Sequence, residues 1–135
     1  MVDYQQFVSR YEQAWKDRDV AAFEALWDPN GVCYHPTASA PIRGREGLVA
    51  FDRRTRERTP DLSWQLDRWA AQGDHLFIEW TCRATIAGNL ATWSGVDRFF
   101  LRDGRIIEEV VYCDTQQLWE ALDPSLKRPA LMELG

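Results

Sequence analysis

Tyr11, His35 and Asp97 are the side chains of this sequence best suited to moving protons. His35 stands immediately before Pro36. Its imidazole has a reference pKa of about 6.5, about 2.5 units above a carboxylate, so it can serve as base or acid around neutral pH. The plain alternative is a rim histidine that only shapes a pocket. Asp97 sits in an alternation whose neighbours Trp93, Gly95 and Phe99 have the character of a buried face. A lone carboxylate there is costly unless it is paired or neutral. It has a chemical role, or Arg83, Arg98 or a tyrosine holds it, or the register is inverted and it faces water. Tyr11 offers a phenol O–H, although its spacing from Phe7 and Trp15 also fits an ordinary core position.

The elements that must position these groups are legible in the hydrophobic periodicity. Residues 3–17 read as a helix, with Asp3 and Gln6 as a capping box and Phe7, Tyr11, Ala14 and Trp15 on one face. Asp19 caps a short second helix that turns Ala22, Phe23, Leu26 and Trp27 to the core, and Asp28-Pro29-Asn30-Gly31 stops it. A short strand over 32–35 and a proline-containing loop over 36–42 lead to a third helix over 44–59. After Pro60 the period changes from 3.6 to 2. Leu62, Trp64 and Leu66 alternate with polar residues, as do Leu76, Ile78, Trp80 and Cys82. Ala87-Gly88-Asn89 turns the chain into the Trp93–Phe99 alternation, and Asp103-Gly104 turns it into a last strand over 106–112. Helices bunched ahead of an antiparallel meander indicate an α+β fold.

The chain has 135 residues, 45% of them hydrophobic, which fits one domain with one core. That domain spans 1–135, with a core over about 3–122 and a C-terminal tail over 123–135 read as a surface strap or a partly disordered end. Seven tryptophans supply rings enough to line a cavity for a flat apolar ligand. The net charge of −5 argues against nucleic acid. No apolar run is long enough for a membrane span, and no signal peptide opens the sequence. Cys33, Cys82 and Cys113 are odd in number and lack CxxC spacing, so a reduced, cytoplasmic protein is expected, without a zinc site. His75 follows Gly73-Asp74 and reads as turn chemistry. Arg53, Arg54, Arg56 and Arg58, interleaved with Asp52 and Glu57, read as a solvated helix face.

Three segments in order carry a family resemblance. Arg10-Tyr11 is followed eight residues later by Asp19; His35-Pro36 precedes Gly44 by nine; Gly95-Val96-Asp97 is followed by Gly104-Arg105-Ile106. In these the chain resembles the NTF2-like, SnoaL-like and ketosteroid isomerase-like superfamily over residues 3–122. The resemblance implies a cystatin-like cone, an α+β barrel whose N-terminal helices pack on a strongly curved, mostly antiparallel sheet. It also implies that Tyr11, His35 and Asp97 occupy the catalytic positions of the isomerases, where a carboxylate base works beside an oxyanion hole of tyrosine and neutral aspartic acid. His35 replaces the aspartate base, which admits a His–Asp dyad with Asp97 in place of an oxyanion hole. Counting from Gly104 puts Trp80, Cys82, Val111 and Cys113 on the pocket wall, with Trp15 and Trp93 as further contacts, and turns Glu109 inward near the narrow end. The same count places Trp80, Cys82 and Val111 where epoxide hydrolases of this fold need polar groups to activate water, which argues against that chemistry.

The resemblance thus points to a cofactor-independent and metal-free proton-transfer enzyme of isomerase, cyclase or dehydratase type. Its substrate would be a small apolar carbonyl or polyketide-like compound. The alternative is a non-catalytic binder of a small apolar molecule. A homodimer through the outer sheet face is compatible with either, with Arg98, Phe100, Val110 and Tyr112 turned outward.

Overall fold

The computed structural model describes residues 2–134. Helix α1 covers Tyr4–Asp17, and the Asp3 carboxylate accepts the Gln6 N–H at 3.0 Å, as the capping box requires. Its buried stripe is Phe7, Val8, Tyr11 and Ala14. Arg18 ends the helix in the left-handed region, and its guanidinium donates to the Pro60 and Leu62 carbonyls at 2.6 and 2.7 Å. That contact fastens the C-terminal end of α1 to the entry of the sheet.

Helix α2 is shorter than its periodicity suggests. It covers Val20–Ala25, capped by Asp19, and it buries Phe23 while leaving Ala22 exposed. Trp27 belongs instead to strand β1, Trp27–Tyr34. The reason is tertiary. The Leu26 carbonyl accepts the Ile106 N–H at 2.8 Å, and Trp27 pairs with Ile106 in a parallel ladder, so the sheet takes over before Asp28-Pro29-Asn30-Gly31 can act as a stop. Those four residues form the irregularity between the Trp27 and Val32 pairings. Gly31 is required there, because a Cβ would stand 2.8 Å from the Trp27 ring and 2.9 Å from the Ile106 carbonyl.

Strand β2 (Ile42–Arg43) pairs with β1, and helix α3 runs over Gly44–Arg58. Strands β3 (Ser63–Gln72), β4 (His75–Ile86), β5 (Asn89–Arg102) and β6 (Arg105–Cys113) make the meander. The sheet order is β2-β1-β6-β5-β4-β3, antiparallel except for β1 beside β6. Register shifts at Leu66/Arg68 and Phe100/Leu101 help curve it into a cone around the helices. His75 is the first residue of β4, not part of a turn, and its ring packs 5.5 Å from that of Phe100.

A fourth helix, α4, spans Gln116–Leu122, beyond the elements read from the sequence. It buries Ala121, whose carbonyl accepts the Asn89 side-chain amide at 2.8 Å, and so covers the hairpin end of β4 and β5. The tail after it carries two short 3-10 turns and lies exposed along the surface. No helix among the described residues is long and apolar enough to cross a membrane.

The arginines of α3 do not share one environment. Arg53, Arg54 and Arg58 are exposed, but Asp52 is only 5% exposed and accepts from Arg56 Nε at 2.8 Å. The Arg56 guanidinium covers the Trp15 ring, 5.3 Å from its centroid. The expected solvated face therefore contains a buried ion pair that seats α3 on α1.

Candidate functional site

Cross-strand rows on the inner face of the sheet assemble the site. From the hairpin end inward, Trp64, Cys82 and Trp93 form one row; Leu66, Trp80, Gly95 and Cys113 the next; Ile78, Asp97 and Val111 a third. Leu76, Phe99, Glu109 and Cys33 close the interior. The expected wall residues Trp80, Cys82, Trp93, Val111 and Cys113 thus share a face with Asp97. Trp15 joins them from α1 by stacking on Trp64, with ring centroids 5.7 Å apart. Trp15, Trp64, Trp93 and Cys113 keep partial solvent contact, whereas Leu76, Phe99 and Ile106 have none, so the interior opens at the Trp93 end.

Asp97 is 4% exposed and no ion pair among the described residues reaches it. The Trp80 indole Nε1–H donates to its Oδ1 at 2.9 Å, and the Tyr11 O–H donates to Oδ2 at 3.5 Å. Burial pushes the Asp97 carboxyl up to about 7, with the Trp80 and Tyr11 hydrogen bonds pulling the other way. Tyr11 is 2% exposed, caged by the rings of Phe7, Phe23, Trp64 and Phe99. Burial, then the carboxyls of Glu109 and Asp97, raise its phenol well above 10, so it remains a donor at neutral pH.

His35 is placed differently. Extending the β1–β6 register by one residue sets it level with Val111, the partner of Asp97. Yet its Nδ1 accepts the Thr37 backbone N–H at 3.2 Å and lies 2.7 Å from Thr37 Oγ1, while its ring packs against Phe51. Because the backbone N–H can only donate, the ring proton of the neutral imidazole sits on Nε2. Burial lowers its pKa to about 4. The structure brings Tyr11 and Asp97 together but forms no hydrogen-bonded His35–Asp97 dyad. The half-buried imidazole is neutral, its Nδ1 is engaged by its own loop, and its Nε2–H makes no hydrogen bond to Asp97.

Two partners of the site were not legible in that role from sequence. The sequence marks Trp80 only as a wall residue, yet it is the shorter donor to Asp97. Its position opposite Gly95, a large residue over a small one, is the signal that would have found it. Cys33, on β1, lies with its Sγ 3.6 Å from Glu109 Oε1. Glu109, turned inward as its register implies, is 6% exposed and also raised, by burial and by Asp97. Cys33, Cys82 and Cys113 are all free thiols. Among the described residues no group of three or more His, Cys, Asp or Glu side chains could hold a metal ion.

The side chains next to Asp97, among them Trp80, Tyr11 and Phe99, belong to the buried core cluster. Two surface concavities of about 870 and 470 Å³ lie elsewhere. The larger is at the narrow end, bordered by Tyr4, Arg10, Arg102 and Arg105, and the smaller lies between α2 and α3.

This helix-packed, curved α+β sheet with polar groups on its inner face defines an NTF2-like cone. The profile of the SnoaL-like domain matches residues 8–109, most of the chain, and the protein belongs to that family. An NTF2-like protein of unknown function from Burkholderia pseudomallei superposes with a TM-score of 0.82 at 21% identity, covering 91% of this chain and 99% of that one. A protein with a ketosteroid isomerase-like fold from Catenulispora acidiphila, bound to trimethylamine, gives 0.79 at 19%, covering 96% and 100%. IdmH from Streptomyces antibioticus, described as a candidate polyketide cyclase, gives 0.76 at 20%, covering 89% and 98%. At these identities the likeness concerns the fold. No curated protein matches the sequence significantly.

Proposed function

We propose that this protein is a cofactor-independent proton-transfer enzyme, of isomerase, cyclase or dehydratase type. Its substrate is a small, uncharged apolar carbonyl or polyketide-like compound. The observation that carries this reading is the Asp97 carboxyl, enclosed with no cation and held by an indole N–H and a phenol O–H. A carboxylate whose proton affinity is raised to neutrality is a far better base than one in water, and still ionised in a useful fraction. It takes a proton from the carbon beside the carbonyl, the bonding electrons move to the carbonyl oxygen, and the proton returns to another carbon. The 3.5 Å bond from Tyr11 is long enough to be given up readily, leaving the phenol to donate to the developing enolate oxygen. His35, neutral with its proton on Nε2, serves as a second donor rather than as the base. An anionic substrate is disfavoured by the buried acids.

The closed packing around Tyr11 favours a second reading, in which an apolar ligand displaces the tryptophans at the open end and is held without reaction. Solvent exchange separates the two. Enolisable polycyclic ketones are incubated with the protein in D2O and read by NMR for deuterium beside the carbonyl. The enzyme reading expects exchange that falls at least ~100-fold in Asp97→Asn, the usual scale for loss of an acid–base group. Saturable binding without exchange would leave only the binder. Either form is proposed to dimerise through the outer sheet face, where Tyr112, 54% exposed, shares a face with Val110 and Phe100. Light scattering of Tyr112→Asp tests that, since a loss of mass is expected.

A further inference from the structure

Glu109 is the buried acid that the proposed proton transfer leaves without a role. Asp97 pairs with Val111 and Phe99 with Glu109, so the two carboxyls stand diagonally across the β5–β6 ladder on the same inner face. Diagonal neighbours of this kind are ~7–8 Å apart, within reach of long side chains. The titratable groups facing Glu109 are Asp97 from β5, Tyr11 from α1 and Cys33 from β1. No ion pair among the described residues reaches it.

Two anions in such a space oppose each other, and neither has a cation to offset its desolvation. The donors decide which one keeps a proton. Asp97 receives an indole N–H and a phenol O–H, both of which stabilise its charged form. Glu109 receives only a thiol at 3.6 Å, a weak donor, and its Oε2 is buried with no partner at all. Glu109 is the worse anion.

We propose that Asp97 and Glu109 form one proton-sharing pair in which Glu109 stays a neutral acid and Asp97 carries the single charge. Glu109 is then a positioning residue: by remaining uncharged it leaves Asp97 as the one ionised carboxylate of the cone. The use of the pair in turnover rests on the proton-transfer reading; the pairing itself does not.

The test is a carboxyl-carbon NMR titration of the full-length protein with no substrate, on wild type, Glu109→Gln and Asp97→Asn. In wild type, Glu109 is expected to show the protonated shift at pH 7 while Asp97 titrates. Glutamine is an uncharged isostere, so Glu109→Gln should leave the Asp97 midpoint within about half a unit. In Asp97→Asn the Glu109 midpoint should drop by about one unit or more, because the neighbouring charge is gone. An ionised Glu109 at pH 7 in wild type would overturn the proposal. So would a fall of more than about one unit in the Asp97 midpoint on Glu109→Gln, the sign of a lost negative neighbour. Should Glu109→Gln fail to fold, the wild-type titration decides alone. Absence of solvent exchange beside an intact pair would remove the enzymatic reading and leave the pair standing.

Discussion

The indole of Trp80 lies across Gly95, where a Cβ would come within 2.6 Å of its Cζ2 and 2.8 Å of the Cys113 Cβ. Gly95 thus holds open the space in which the ring can lean toward Asp97 and deliver its N–H. Gly95→Ala is expected to push the indole aside, at an overpacking cost of roughly 1–3 kcal/mol. Urea denaturation followed by tryptophan fluorescence reads both effects. An unchanged midpoint would mean the ring has another way to reach the carboxyl.

Trp80→Phe keeps most of the ring and removes the donor. A hydrogen bond to a charged group contributes about 1.5–3 kcal/mol, and here it stabilises the ionised carboxyl more than the neutral one. The loss of stability should therefore be larger at pH 8 than at pH 5, and the Asp97 midpoint should rise further above about 7. Equal losses at both pH values would show that packing alone was removed.

His35 and Asp97 pull the pH dependence of stability in opposite directions. The Asp97 carboxyl is raised from 3.8 to about 7, so the native state keeps a proton the unfolded chain releases, and stability falls as pH rises through that window. Glu109, also raised, adds to the fall. His35 is lowered from 6.5 to about 4, so its contribution is complete above 6.5 and is lost on acidification. Denaturation midpoints between pH 4 and 8 should fall with pH in wild type, because two raised acids outweigh one lowered imidazole. The fall should nearly vanish over that window in Asp97→Asn, where Glu109 and His35 oppose each other, and should steepen in His35→Gln. Parallel curves for all three proteins would exclude both assignments.

Arg56→Met leaves the buried Asp52 carboxyl without its partner. Breaking such a pair from one side costs roughly 3–5 kcal/mol, much more than an exposed pair. The double variant Arg56→Met with Asp52→Leu should recover much of the loss, because no buried charge then remains. Thermal melts of the single and double variants provide the check.

Alternation of large apolar and polar residues was enough to place β4 and β5, while β6, which has no such alternation, was placed by the Asp103-Gly104 turn before it. Period-two patterning fixes a face once one side is buried. The caps Asp3 and Asp19 likewise marked where α1 and α2 begin, because a helix start is satisfied by its own neighbours. The end of α2 was not legible. Whether Trp27 continues a helix or opens a strand depends on Ile106, nearly eighty residues away in the chain. Helix α4 was hidden for a similar reason, since its short run gains its place from the hairpin end of β4 and β5.

Within the candidate site, the residue types were present in the sequence, but the inward orientation of Asp97 stayed open between two registers until its burial decided it. Which partners Asp97 and Glu109 have was decided only when the strands came together. Gly95 admits the Trp80 indole over the sheet, the β5–β6 ladder sets Glu109 diagonal to Asp97, and Thr37 turns the His35 ring to its own loop. Periodicity is a property of one segment and can be read along the chain. Charge state and donor geometry arise from burial among several segments at once, so only the folded arrangement determines them.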